Sequence, residues 1–430
     1  MASQHELIRF GLHAATSHDL SKCGSVVTMQ GNSSAGFIDV AETFRNQLGR
    51  TTGGASLAVY HRGELVVDLW GGLRTDDGDP WLADTLAMCF STSKGVASAA
   101  LHLQADAGLV DYDAPVATYW PEFAQNGKEN LTVRHVLSHS AGLHRLRSII
   151  EDAHHMLDWD HMVDALARER PAYEPGTKTG YHAVTYGWLV GEIVHRVTGR
   201  SLAQVVTDDL AAPLGLDGLF LGCPPEERHR VAPLVPMKST RSVLPSAAYR
   251  AEKVVATQLA KGLSLVRSPI NPRRVINALL PRGMEDVLAG PEIMDASVPS
   301  MNGFFTARSL GALYATLAGG GTLGDVRLLS PETVEKVGEE QNNRPDLVLI
   351  VPMKWRLGYH RVMTSRGGAP KGFGHFGLGG SGAWADPSRE LAIAMVCNRG
   401  GGTPVGDLRL MQLGAAAIAS ADRVTTTAPS

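Results

Sequence analysis

The chain has 430 residues, 44% of them hydrophobic and 19% charged, with a formal net charge of −3. That profile fits a globular protein long enough for a large core, and so small a charge leaves no electrostatic footprint for nucleic acid. No run approaches about 18 uninterrupted apolar residues, so a membrane span is not expected.

The first thirty residues carry Glu6, Arg9, His13, His18, Asp19 and Lys22 and lack the apolar stretch of a secretory signal. A cytoplasmic location is therefore expected, with peripheral membrane contact left open. Cys23, Cys89, Cys223 and Cys397 are far apart and form no C-x-x-C. They read as scattered reduced thiols, neither a disulfide frame nor a metal site.

Residues 1 to about 35 are polar and are expected to form an irregular arm. Ser56–Tyr60 and Leu65–Trp70, joined by His61-Arg62-Gly63-Glu64, read as a hairpin. Next comes the apolar run Leu86–Phe90, then Ser91-Thr92-Ser93-Lys94, then Gly95–Leu103, small and apolar enough for a buried helix. From about 105 to 225 the pattern is mostly helical. Thr185 to Thr198 has Leu189, Ile193 and Val197 at helical spacing and stops at Gly199, and Ser201 with Gln204 forms a capping box. Residues 225–300 are rich in Lys and Arg with apolar residues between them. They read as a solvated insertion, with a lid over the site or a lipid-facing patch as the alternatives.

A helix is expected over Ala307–Ala318, with Thr306 as N-cap. A Gly-rich segment, Gly374 to Trp384, and a buried strand, Leu391–Val396, follow, joined by a turn at Asp386–Glu390. A last helix runs from about Val405 to Ala419, and residues 421–430 read as a disordered tail. Strands at both ends around a helical middle give an α/β lobe (about 36–104 and 303–420) with a helical lobe (about 105–302) inserted in it.

Ser91 and Lys94 carry the chemical signal. In a helix they share one face, and a desolvated lysine can take a serine proton near neutral pH. About one S-x-x-K is expected by chance in a chain of this length, so the motif needs company. Two distant segments supply it: Pro175-Gly176 through Tyr181-His182-Ala183, and Gly374-His375-Phe376-Gly377-Leu378.

Taken in order, these three segments resemble the motifs of serine β-lactamases and penicillin-binding proteins. The 90-residue step from Ser91 to Tyr181 suits the class C branch. Leu131–Leu143 and Asn302–Arg308 are similar to family segments as well. Within the superfamily the chain most resembles family VIII carboxylesterases and mycobacterial lipases of β-lactamase type. The likeness implies an antiparallel sheet flanked by helices with an inserted helical subdomain, the β-lactamase/transpeptidase fold. It also implies Ser91 as nucleophile, Lys94 as its activating neighbour and Tyr181 as base and acid. The oxyanion hole would be the N–H groups of Ser91 and Leu378, with His375, Phe376, Gly377 and His182 lining the substrate.

The same likeness implies a small-molecule ester substrate, no cofactor and no metal. The departures point the same way. Tyr181-His182-Ala183 stands where class C enzymes have Tyr-x-Asn, and His375-Phe376-Gly377 stands where they have Lys-Thr-Gly. A permanent cation and a hydroxyl are lost, while the histidine can still donate a hydrogen bond. The pattern is better matched to neutral esters than to β-lactams, and esters of short to medium acyl chain are the expectation. A β-lactamase or D-amino-acid peptidase, an acyltransferase on the same fold and a non-turning-over penicillin-binding-type protein are the alternatives.

Other patterns are decoys. Gly379-Gly380-Ser381-Gly382 ends in Ala383, so it is not G-x-S-x-G. The cluster of His154, His155, Asp158, Asp160 and His161 lacks metalloprotease spacing. His135, His139 and His144 read as structural.

Overall fold

The computed structural model describes residues 7–10, 28–50, 53–234, 278, 281–399 and 407–427. The strands of the two larger sheets, in chain order, are β1 (Leu7–Phe10), β2 (Met29–Ser34), β3 (Gly54–His61), β4 (Glu64–Gly72), β5 (Ala87–Met88), β6 (Leu219–Leu221) and β7 (Gly303–Phe305). They continue as β8 (His360–Arg361), β9 (Phe373–Phe376), β10 (Gly382–Asp386) and β11 (Leu391–Cys397). Eight of them form one antiparallel sheet in the order β1-β2-β4-β3-β11-β10-β9-β8, so the two ends of the sequence meet at β3 and β11.

Side-chain alternation along β11 explains the layers. Leu391, Ile393, Met395 and Cys397 face one core, while Ala392, Ala394 and Val396 face the other. The large side chains meet α1 (Ile38–Leu48) and a long C-terminal helix. The small ones let helices approach closely on the opposite face. There the helix Ala307–Ala318 lies across the sheet, and a Cβ on Gly311 would sit 3.2 Å from the Cβ of Ala58. That helix has the bounds read from the sequence, with Thr306 capping the N–H of Ser309.

α2 (Ser93–Asp106) is sandwiched between the sheet and the helical lobe, which includes α3 (Val133–Leu137), α4 (Trp159–Arg168) and α5 (Tyr186–Thr198). Ser93 through His102 are all buried, so this helix is enclosed on every side. Gly95 is the position where it meets Tyr314 most closely: an added Cβ would stand 2.1 Å from the Tyr314 hydroxyl. A glycine costs about 1 kcal/mol of helix propensity relative to alanine, and here that loss makes room for an aromatic ring.

Several expectations need correction. The N-terminal arm is not irregular throughout, because β1 and β2 extend the sheet edge. Their pairing is a main-chain matter. Gly31, at φ +113°, takes the register opposite Leu69, where a Cβ would stand 2.0 Å from the Asp68 carbonyl oxygen. The expected tail is helical as far as Thr427, since the last helix, α7 (Leu408–Thr427, with α6 being Ala307–Ala318), runs past Ala419. Ile418, Ala421 and Val424 continue the apolar stripe of Leu410, Leu413 and Ala417, and Arg423 pairs with Asp39.

Most of the basic stretch expected as an insertion lies outside the described residues. Its described flanks are tied together by the ion pair of Arg228 with Asp295. Among the described residues no helix is long and apolar enough to cross a membrane.

Candidate active site

The turn that carries Ser91 is shaped by its neighbours before any chemistry enters. β5 pairs with β7, the Cys89 N–H reaches the Gly303 carbonyl at 2.8 Å, and Phe90 turns the chain at φ +47°. A 3-10 turn over Phe90–Thr92 then feeds α2. Thr92 donates through Oγ1 to the Ser381 carbonyl at 3.1 Å, which ties the turn to the far side of the cleft. Gly377 completes the closure: a Cβ there would lie 2.2 Å from the Cys89 carbonyl oxygen. Its role is close approach, and it brings the next residue, Leu378, to the edge of the Ser91 turn. Among the described residues the Leu378 N–H makes no backbone hydrogen bond in the turns and loops.

Lys94 is fully buried. Its Nζ lies 3.0 Å from Ser91 Oγ, 2.6 Å from the Ala183 carbonyl oxygen and 3.0 Å from the Ser300 carbonyl oxygen. Burial holds its pKa well below the usual lysine value. A neutral amine has two N–H groups and one lone pair. In the neutral form the two carbonyls, which can only accept, take the two N–H groups, and the lone pair is left for the Ser91 hydroxyl. That is the arrangement of a general base on a nucleophile.

Tyr181, also buried, places its phenol beside the Ser91 side chain, near enough for that hydroxyl to act on the phenol pKa. Its ring lies 5.0 Å from Lys94 Nζ and is stacked on Trp355 at 5.5 Å and 10°. Burial raises the phenol pKa above its ordinary value, and the neighbouring Ser91 side chain opposes the rise. The three residues expected to converge do converge.

Four other expectations are altered. His182 does not face the cleft. Its Nε2 accepts the Leu143 N–H at 3.0 Å and its Nδ1 lies 3.3 Å from His139 Nδ1, so both nitrogens serve the fold. Phe376 points through the sheet into the core against α7 and packs on His360 at 4.6 Å, because strand alternation sends it opposite to His375. Gly377 acts on the Ser91 turn, as described above.

His375 does lie on the site's face, its ring 6.2 Å from that of Tyr181. Its Nδ1 is 3.0 Å from the Phe376 carbonyl oxygen, which can only accept, so Nδ1 bears the proton. Nε2 is then a buried lone pair without a partner, an acceptor where a donor was expected. Burial and the nearby His360 and Lys94 hold this imidazole neutral.

Sequence reasoning missed what holds Tyr181 in place. His139, in the left-handed region at φ +57°, accepts the Gly180 N–H on its carbonyl at 3.0 Å and the His182 N–H on its Nδ1 at 3.1 Å. Asp346 accepts the Tyr181 N–H at 3.1 Å. The only local signal was an aspartate set immediately before the apolar run Leu347–Ile350. Cavities of about 670 Å³, beside Trp159 and Glu192, and about 860 Å³, beside Arg356 and Phe373, lie elsewhere and do not include Ser91.

The beta-lactamase family model matches residues 40–417. Esterase/beta-lactamase LipL of Mycobacterium tuberculosis is 38% identical over 393 residues, 90% of this chain and 86% of that protein. The crystal structure of a family VIII carboxylesterase superposes with a TM-score of 0.78 at 33% identity, covering 91% of this chain and 99% of that one. A penicillin-binding protein homolog from Caulobacter crescentus superposes equally well, at 0.78 and 36% identity, over the same shares of the two chains. With the order of its motifs and the topology of its sheet in agreement with these matches, the chain belongs to the β-lactamase family.

Proposed function

We propose that the protein hydrolyses neutral carboxylic esters through an acyl-serine intermediate. One observation carries the reading: the buried Lys94 amine stands 3.0 Å from Ser91 Oγ with its two other contacts taken by carbonyls. Ser91 Oγ attacks the ester carbonyl carbon while its proton passes to Lys94 Nζ. The carbonyl electrons move onto oxygen, where the Ser91 and Leu378 N–H groups receive them. Collapse of the tetrahedral adduct expels the alkoxide, which takes a proton from the Tyr181 hydroxyl. The Lys94 ammonium restores that proton. Water then attacks the acyl carbon, and the same pair moves its proton until Ser91 is free.

The raised phenol and the depressed amine support an order in which Lys94 accepts first and Tyr181 protonates the leaving group. The electrostatics support a neutral substrate. His139, His182 and His375 are all held neutral by burial, so these side chains offer no positive charge to a substrate carboxylate. Relatives named esterase, LipL and Esterase EstB of Burkholderia gladioli, support the reading. The thiols of Cys89, Cys223 and Cys397, buried and unpaired, fit a reducing compartment such as the cytoplasm.

Hydrolysis of p-nitrophenyl esters of increasing chain length by the wild type and by Ser91→Ala tests the proposal. Turnover by the wild type alone supports it. Cephalosporin hydrolysis as fast as that of the best ester would refute it.

A further inference from the structure

We propose that Asp346 is a positioning residue of the active site, its carboxylate fixing both the main chain of Tyr181 and the indole ring stacked on the Tyr181 phenol. The proposal rests on the esterase reading above. Asp346 Oδ1 accepts the N–H groups of Val348 at 2.8 Å, Leu349 at 3.0 Å and Tyr181 at 3.1 Å. Oδ2 accepts Trp355 Nε1–H at 3.2 Å.

The two local bonds are those of an ordinary Asx turn, which forms as readily at a surface and gives no reason for burial. The other two are different in kind. Tyr181 is 165 residues away in sequence. Trp355 is fully buried and lies parallel to the Tyr181 ring, 5.5 Å away. One carboxylate thus holds the phenol from behind, through its own backbone, and from the side, through the ring against which it rests. A parallel tie, from the Leu347 N–H to the Thr179 carbonyl at 2.9 Å, keeps the two loops in register.

The loop is shaped around this task. Ile350 sits in the left-handed region at φ +75°, an unfavourable conformation for a β-branched residue, and its N–H closes back on the Asp346 carbonyl at 2.8 Å. Asp346 is only 3% exposed, and the groups around its carboxylate are N–H donors. Burying a carboxylate is costly unless hydrogen bonds compensate; the four converging donors oppose that cost, and burial still leaves the Asp346 pKa raised. Asp346 touches no reacting atom and acts through Tyr181.

The test compares wild type, Asp346→Asn, Trp355→Phe and the double variant on p-nitrophenyl butyrate, with Tm measured for each. In Asp346→Asn the amide oxygen keeps the three backbone donors, but its NH2 confronts the indole N–H. The expected result is a kcat at least tenfold below wild type with KM within about threefold. Trp355→Phe keeps a ring beside the phenol and removes the confronting donor. The double variant should therefore recover at least threefold in kcat over Asp346→Asn. A kcat of Asp346→Asn within twofold of wild type, or a double variant no faster than Asp346→Asn, would overturn the proposal. Wild-type protein inert toward every ester would instead sink the esterase reading.

Discussion

Replacing Lys94 with methionine separates chemistry from packing, because the two side chains have similar length and both fit an enclosed site. The substitution removes the lone pair that faces Ser91 Oγ at 3.0 Å. General-base catalysis contributes roughly 10²–10⁴-fold, so kcat/KM should fall by about 10³, equivalent to about 4 kcal/mol of barrier.

Two terms oppose each other in stability. The Ala183 and Ser300 carbonyls each lose a donor, at about 1–3 kcal/mol apiece if left unsatisfied. Against this, the wild type must strip a proton from Lys94 to bury it, and methionine carries no such cost. The sign is explicit: Lys94 has a depressed folded pKa, so below its unfolded value the unfolded chain binds the extra proton. Wild-type stability therefore rises with pH between the folded and unfolded lysine pKa values, and the variant loses that rise. Activity follows the same group, with kcat/KM falling as pH drops through the folded Lys94 pKa. Steady-state kinetics across pH and thermal melts of both proteins supply the check. A Lys94→Met enzyme within tenfold of wild type would refute the assignment of the base.

Tyr181→Phe keeps the stacking on Trp355 and removes the hydroxyl. Its kcat should drop by about 10²–10³ with little change in KM, measured on an ester with a poor leaving group so that protonation of the alkoxide matters. Gly377→Ala would drive a methyl group against the Cys89 carbonyl. Thermal denaturation should show a loss of about 1–3 kcal/mol, together with loss of turnover. Arg409 donates to the Gly379 carbonyl at 3.0 Å while paired with Asp407, and so braces the loop beside Leu378. Arg409→Gln should lower kcat/KM by about tenfold, less than the loss of an oxyanion donor itself, as read from ester kinetics.

What was legible in the sequence follows from how each feature is encoded. The helix Ala307–Ala318, the β3–β4 hairpin and the strand Leu391–Cys397 announce themselves through caps, turns and apolar patterning. Ser91, Lys94 and Tyr181 were found because their motifs are local even though their meeting is not. The strands β1 and β2, at one end of the sheet, were missed because main-chain pairing, and not an apolar face, holds them. The last helix was cut short because its final turns are polar except for Ala421 and Val424.

His182 and Phe376 were misassigned because a motif names neighbours without saying which way each side chain points. Strand alternation sends Phe376 through the sheet, and the Leu143 N–H claims His182. Asp346 left almost no trace, because its partners are N–H groups at remote positions, which no residue spacing reveals.

The central claim is that Ser91 carries the acyl group, and intact-mass measurement of rapidly quenched enzyme with a p-nitrophenyl ester tests it most directly. The account predicts an adduct of the acyl mass on the peptide containing Ser91, absent from Ser91→Ala and slow to form in Lys94→Met. An adduct on another residue, or steady ester turnover by Ser91→Ala, would contradict it.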